Sequence, residues 1–285
     1  MNKEEVKKLK EISYRMMLDV LLMTTEAGSG HPGGSLSSKD IVAVLFFKVM
    51  RHNPKNPSWD DRDRLVFSKG HAVPILYAAL IEAGYLDRSY ITGLRKLGSP
   101  LQGHPEWNPS MMIEATTGSL GNGLAIGNGI ALAGKLRKKE YRVYVLMGDG
   151  ELQEGTVWEA AMFSSHYALD NVVAVVDRNG LQQSGPTEKS LSVEPIAEKW
   201  RAFGWHVQEV DGHDIESLYR AFKNADAISG MPKVIIAHTT KGKGSLIGEW
   251  VTEFHGKPLS RQELEKLLPQ LEQKHREEMM ELDLN

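Results

Sequence analysis

Two short strings at the ends of two apolar runs hold the residue types best suited to chemistry. Gly148-Asp149-Gly150-Glu151 follows Val143-Tyr144-Val145-Leu146-Met147, and Asp177-Arg178-Asn179-Gly180 follows Val172-Val173-Ala174-Val175-Val176. Val-rich runs of this length, bounded by Gly or Asn, read as buried parallel strands. In open parallel sheets the strand C-termini line the ligand crevice, so Asp149 and Asn179 are expected side by side. A carboxylate, an amide oxygen, a backbone carbonyl and two phosphate oxygens meet the oxygen-only, octahedral preference of Mg²⁺. The alternative is a glycine turn and an asparagine loop with no metal; the strand context favours the metal.

Histidine is the second chemical theme. Of ten histidines, His31, His71, His104, His213 and His255 adjoin a glycine. Gly30-His31-Pro32-Gly33, Ser68-Lys69-Gly70-His71, Gly103-His104-Pro105 and Phe254-His255-Gly256 put imidazoles on loops, where site residues concentrate. Imidazole donates to phosphate and hydroxyl oxygens and moves protons near neutral pH. His213, in Asp211-Gly212-His213-Asp214, is read as a cap or turn residue. His52, His166, His206, His238 and His275 are read as structural. The segment Thr239-Thr240-Lys241-Gly242-Lys243-Gly244-Ser245 suits phosphate contact by backbone N–H groups and charge, with a solvated basic loop as the alternative. It does not match a P-loop, so nucleotide hydrolysis is unsupported.

These loops need a scaffold. Val6, Leu9, Ile12, Met16, Val20 and Met23 recur at helical spacing, which predicts one amphipathic helix over 3–27. The run 28–34 is too glycine-rich for regular structure. Helices are expected over 38–50, 72–83, 119–138, 154–168, 193–203 and 214–229, and strands over 64–67, 205–210 and 233–238 besides the two above. The glycines of 119–138 lack the spacing and preceding strand of a dinucleotide fingerprint; they fit a helix that another backbone or a ligand approaches closely. Alternating strands and helices imply a three-layer α/β fold, a parallel sheet with helices on both faces. From residue 259 the composition turns to Glu, Lys, Gln and Leu. Ser260 and Glu263 form a capping box, and Pro269 is expected to interrupt the helix that follows. The chain thus divides into a domain over 1–258 and a charged helical tail over 259–285, a packing or assembly element.

Composition narrows the function. The 285 residues are 41% hydrophobic and 25% charged, with net charge −3 and no cysteine. There is no basic footprint for nucleic acid, no thiolate catalysis or Cys-based zinc site, and no apolar run long enough for a bilayer. A soluble, cytoplasmic protein is expected.

Taken together, the strings resemble transketolase. Those that carry the resemblance are Ser29-Gly30-His31-Pro32-Gly33, Ser68-Lys69-Gly70-His71, Gly103-His104-Pro105, Thr117-Gly118-Ser119-Leu120-Gly121-Asn122-Gly123, Gly148–Gly155 and Asp177–Gly180, over about residues 10–258. The resemblance implies a thiamine-diphosphate-binding fold with Mg²⁺ held by Asp149, Asn179 and the carbonyl of Leu181. It implies diphosphate contacts from Gly150, His71 and His255, and an aminopyrimidine end lined by Gly118 and Leu120. It gives Glu154 to a carboxylate network across the subunit interface, and gives His31, His104 and His255 the sugar hydroxyls and proton transfers. The implied reaction moves a two-carbon glycolyl unit from a ketose phosphate to an aldose phosphate. Only the diphosphate-binding half is matched, so the resemblance implies the N-terminal subunit of a split enzyme. Its partner would be a C-terminal transketolase subunit carrying the pyrimidine-binding domain, in an α₂β₂ assembly. Gln183-Ser184 stands where the family has an apolar-acidic pair, which leaves the sugar open, and Ser119 and Asn122 replace the commoner Pro and Gln.

The rival readings are the α subunit of a 2-oxo acid dehydrogenase, a deoxyxylulose-phosphate synthase fragment, and a non-catalytic binding or regulatory homologue. His31-Pro32-Gly33 and Gly103-His104-Pro105 favour transketolase over the first two; intact metal and histidine loops argue against the third.

Overall fold

Successive residues of the central strands enter different hydrophobic clusters. Tyr144, Leu146, Val173 and Val175 belong to one, and Val143, Val145, Met147, Val172, Ala174 and Val176 to the other. A sheet that is apolar on both faces must be covered on both. The computed structural model describes residues 1–284. Its strands are β1 (Arg64–Phe67), β2 (Val143–Gly148), β3 (Val172–Arg178), the two-residue β4 (Leu181–Gln182) and β5 (Gly185–Pro186), β6 (His206–Asp211) and β7 (Lys233–His238). Five run parallel in the order β1-β2-β3-β7-β6, and β4 and β5 form a separate antiparallel pair.

The helices are α1 (Lys3–Ala27), α2 (Pro32–Ser37), α3 (Lys39–Val44), α4 (Val73–Glu82), α5 (Asn122–Leu136), α6 (Gly155–His166), α7 (Thr187–Ser190), α8 (Ile196–Ala202), α9 (Ile215–Ala227) and α10 (Arg261–Leu284). Residues of α1 to α4, α9 and α10 pack on one face of the sheet, and residues of α5, α6 and α8 on the other. This is the expected three-layer α/β arrangement. Among the described residues no helix is long and apolar enough to cross a membrane.

Three expectations need correction. The glycine-rich stretch 28–34 is not all loop: α2 starts at Pro32, whose fixed φ suits the first helical position. Gly33 is needed there because a Cβ would lie 2.8 Å from the Phe254 carbonyl oxygen. The helix expected over 38–50 is regular only over α3. It starts after Ser38, whose hydroxyl donates back to the carbonyls of Gly34 and Ser35 at 3.2 Å each, where the chain leaves α2. It ends in a wide turn over Leu45–Val49 closed by Met50 N–H to the Leu45 carbonyl at 2.8 Å. Finally, Pro269 lies inside α10 without ending it. The lost N–H bond is outweighed because Leu264 and Leu267 before it, and Leu271 after it, are buried in the same cluster as α1.

The glycines of α5 do what their pattern suggested. A Cβ on Gly127 would sit 2.6 Å from Val145 Cγ2 on β2, whereas one on Gly129 would meet nothing within 4 Å. Gly127→Ala should therefore lower stability by about 1–3 kcal/mol through overpacking. Gly129→Ala should raise it by up to about 1 kcal/mol through helix propensity. Urea denaturation of the two variants checks the signs, and shifts in the same direction would contradict the seating of α5 on β2.

Candidate functional site

The parallel register places Gly148 opposite Asp177, so the residues just beyond, Asp149 and Arg178–Asn179, meet at the C-terminal edge of the sheet. The segments after β1 and β7 join them there. Asp177 ties the four together. It is fully buried, and its Oδ2 accepts from Lys69 Nζ at 2.6 Å, Ser37 Oγ at 2.6 Å and Asn179 Nδ2 at 2.9 Å. Its Oδ1 accepts from Thr239 Oγ1. Burial pushes this carboxyl up, but the Lys69 charge and these hydrogen bonds outweigh it and hold the group below the usual carboxylate range. Lys69 Nζ also donates to the Gly34 carbonyl at 2.8 Å.

With Asn179 Nδ2 committed to Asp177, its Oδ1 is left as the free end of the amide, accepting only Leu181 N–H at 3.2 Å. Asp149 is equally constrained. Its Oδ2 accepts from Arg178 Nη1 at 2.8 Å and Gly180 N–H at 2.7 Å, and its Oδ1 from Gly150 N–H at 2.8 Å. Burial, only partly offset by Arg178, raises its pKa. The Leu181 carbonyl accepts from Lys241 Nζ at 2.6 Å. Asp149 Oδ1, Asn179 Oδ1 and the Leu181 carbonyl thus retain lone pairs, and a set of three oxygens suits a hard cation. Among the described residues no three His, Asp or Glu side chains converge to hold a metal alone, so a cation here needs further oxygens from a ligand or water.

Beside this set lie the histidines. The His31, His71 and His255 rings are mutual neighbours at centroid separations of 5.2–5.4 Å, and His104 lies 6.5 Å from His31. Burial lowers the pKa of all four, to about 4 for His31 and about 3 for His255, with nearby cations adding to the effect. They are neutral imidazoles at neutral pH, each able to donate and to accept. Lys241 Nζ lies 2.6 Å from His255 Nδ1, and burial pushes this lysine down to about 8.

One cleft of about 420 Å³ is lined by every site residue named from the sequence: His31, His71, His104, Gly118, Leu120, Asp149, Gly150, Glu154, Asn179, Leu181 and His255. Volumes of this order hold small-molecule ligands and cofactors. Glu154 is exposed at the rim. The buried carboxylate beside it is Glu151, which accepts from Ser68 Oγ, from Gly121 N–H at 2.9 Å and from Gly148 N–H at 3.1 Å. Gln182 and Gln183 line the cleft, while Ser184 Oγ accepts from Gln182 Nε2 and bonds Ser190 Oγ. His213 lies in the turn before α9, as one of its two readings had it, and Asp214 caps the helix. The imidazole bridges Asp40 and the backbone of Thr240.

Lys241, whose segment was expected to offer charge to a phosphate, lines the cleft. Sequence reasoning missed Lys69 and Glu151, which also line it, and the buried anchor Asp177. All three stand inside strings already singled out. It also missed Arg95, which donates to Ser29 Oγ at 2.8 Å and reaches His31 Nδ1 at 3.4 Å from a segment without a motif.

Comparison with known proteins bears on this cleft. Residues 10–280 match the family described as transketolase, thiamine diphosphate binding domain. Human transketolase is 43% identical over 271 residues, which cover 95% of this chain and 43% of that enzyme. One of the subunits of the apulose-4-phosphate transketolase of Phocaeicola vulgatus is 43% identical over 257 residues, covering 90% of this chain and 87% of that protein. Among solved structures, transketolase from Leishmania mexicana superposes with a TM-score of 0.87 at 33% identity, covering 92% of this chain and 41% of that one. Transketolase from Campylobacter jejuni gives 0.86 at 34% identity, covering 95% and 43%. The chain therefore spans less than half of these full-length relatives and most of the subunit-sized one.

The neutral histidines set a pH dependence. Their folded pKa values lie below the ordinary 6.5, so between pH 6.5 and about 4 the unfolded chain binds protons that the folded chain refuses. Their contribution to stability is whole above pH 6.5 and is lost as pH falls toward 4. Asp149 and Glu151, raised by burial, act in the opposite direction, so the informative quantity is the difference between parent and variant. The urea midpoint of a His31→Asn/His255→Asn double variant should fall less steeply from pH 7 to pH 4 than that of the parent. Parallel profiles would contradict the assignment of neutral buried imidazoles.

Proposed function

Since this chain belongs to the transketolase family through its thiamine diphosphate binding domain, we propose that it is the diphosphate-binding subunit of a two-subunit ketol transferase. The observation that carries this reading is the convergence in one cleft of the three-oxygen set and the cluster of neutral histidines. Asp149, Asn179 and the Leu181 carbonyl would hold Mg²⁺, with Gly150 N–H, His71 and His255 meeting the diphosphate. Gly118 and Leu120 would line the aminopyrimidine end. Bound there, thiamine diphosphate supplies the carbanion character that breaks and re-forms the carbon–carbon bond beside a ketose carbonyl.

The chain's own residues do the rest. His31, His104 and His255, uncharged and gathered in one cleft, would hold sugar hydroxyls and exchange protons with them at ring nitrogens. Lys241, now resting on the Leu181 carbonyl, would shift toward the diphosphate as a cation takes that oxygen. Gln183, which lines the cleft, would offer an amide to the donor sugar. The substrates in this reading are a ketose phosphate and an aldose phosphate. Their charge confines them to cell interiors, which makes the cytoplasm the expected setting.

The subunit-sized relative supports a separate partner carrying the pyrimidine-binding domain. Glu154, exposed at the rim with no hydrogen-bond partner for its carboxylate among the described residues, fits a network completed across that interface in an α₂β₂ assembly.

The chain alone should show no ketol transfer with thiamine diphosphate and Mg²⁺, and should gain it on mixing with a pyrimidine-domain subunit. Turnover by the chain by itself would overturn this. In the mixed enzyme, Asp149→Ala should weaken cofactor binding at least tenfold by calorimetry, about 1.4 kcal/mol or more. Glu154→Ala should impair both assembly, read by sedimentation, and activity, whereas Lys138→Ala should affect neither. An unchanged Asp149→Ala affinity, or a Glu154→Ala enzyme identical to the parent, would refute those two assignments.

A further inference from the structure

Behind the Thr239–Ser245 loop lies a second recess, of about 120 Å³, walled by α1, α3, α10 and the loop itself. Lys10, Lys39, Lys243 and Lys274 line it, over a floor formed by Asp40 and His213. Asp40 is 1% exposed, and its charge is already met. Both oxygens lie 3.0 Å from Lys39 Nζ, Oδ1 accepts from Ser13 Oγ at 2.7 Å, and Oδ2 lies 2.9 Å from His213 Nδ1. His213 Nε2 accepts from Thr240 N–H at 2.9 Å, so its proton sits on Nδ1, facing Asp40.

With Lys39 and Asp40 cancelling, Lys10, Lys243 and Lys274 face only one other acid of the lining, Glu278. Lys10 donates to the His213 carbonyl at 3.0 Å. Lys243 and Lys274 have no ion pair among the described residues, and Glu11 is held at the edge by Arg15 and His275. Lys10 stands on α1, Lys274 on α10 and Lys243 on the loop. Gly242 at φ 74° and Gly244 at φ 87° turn it so that Lys241 lines the cleft and Lys243 the recess. Gly242 N–H bonds the Gly33 carbonyl at 3.0 Å and Gly244 N–H bonds Glu249 Oε1 at 2.8 Å.

We propose that this recess is a second anion site, on the rear of the loop that supplies Lys241 to the cleft, and that it takes a phosphoryl dianion. Ammonium groups are compact point charges, and a tetrahedral dianion offers a separate oxygen to each of several that converge. At about 120 Å³ the recess has less than a third of the volume of the 420 Å³ cleft, a size in keeping with a phosphoryl group. The site does not depend on what occupies the cleft. A ligand there would brace the loop from behind, where Gly242 N–H already ties it to the Gly33 carbonyl.

The test is titration of the ¹⁵N-labelled chain with inorganic phosphate and, separately, with glycerol 3-phosphate, followed by backbone amide shifts. Both should move Lys243, Gly244 and Lys274, and the tighter of the two identifies free phosphate or a phosphomonoester as the natural source. Shifts at His71 and Gly150 report the cleft independently. Lys243→Gln/Lys274→Gln should weaken binding in the recess at least tenfold without changing the cleft response, and Lys274→Gln alone should weaken it severalfold should the double variant fold poorly. No shift at the recess, equal shifts from chloride at matched ionic strength, or unchanged affinity in both variants would overturn the proposal.

Discussion

The architecture of the cleft depends on the buried pair of Asp177 and Lys69. A carboxylate with no solvent exposure survives only with full compensation, and here the donors come from four separate segments: Lys69 after β1, Ser37 of α2, Asn179 after β3 and Thr239 after β7. One side chain thereby fixes the relative positions of the loops at the C-terminal edge of the sheet. It also decides which way the Asn179 amide faces. Removing one member of such a pair leaves the other charge buried and costs about 3–5 kcal/mol, so the arrangement is hard to vary piecemeal.

Charge in the cleft is balanced by the same logic. Asp149 is matched by Arg178, and Asp177 by Lys69. Lys241 has no carboxylate partner among the described residues; it rests on the neutral oxygen of Leu181 and the neutral nitrogen of His255. The histidines around it stay uncharged because burial and the nearby cations both disfavour another positive charge. A cleft with one uncommitted ammonium, neutral imidazoles and free oxygens beside them is prepared for an anion and a small cation arriving together. The recess behind the same loop is prepared for an anion alone.

Much of this was legible in the sequence because strand ends announce themselves. Asp149 and Asn179 were expected as neighbours from two Val-rich runs, and the Gly148–Asp177 register is the reason. The glycine-flanked histidines, spread from 31 to 255, were readable as loop residues but not as a contact cluster, since nothing local encodes that α2, β1 and the segment after β7 share an edge. Asp177 and Lys69 escaped notice because a buried ion pair between residues 108 positions apart leaves no periodic trace. Glu151 and Glu154 look alike as letters; the turn after β2 buries the first under Ser68 and Gly121 and leaves the second at the rim. Pro269 misled because its cost is local, while the leucines that keep α10 whole pack against α1 at the other end of the chain.

The central claim is that the oxygens of Asp149, Asn179 and Leu181 form the cation-binding corner of a diphosphate site. Crystals of the chain grown with Mn²⁺ and thiamine diphosphate test it through the anomalous scattering of the metal. One strong peak is expected in contact with Asp149 Oδ1, Asn179 Oδ1 and the Leu181 carbonyl, with Lys241 withdrawn from that carbonyl. Ordered thiamine diphosphate with the metal elsewhere, or Lys241 still seated on Leu181 with no peak in the cleft, would contradict it.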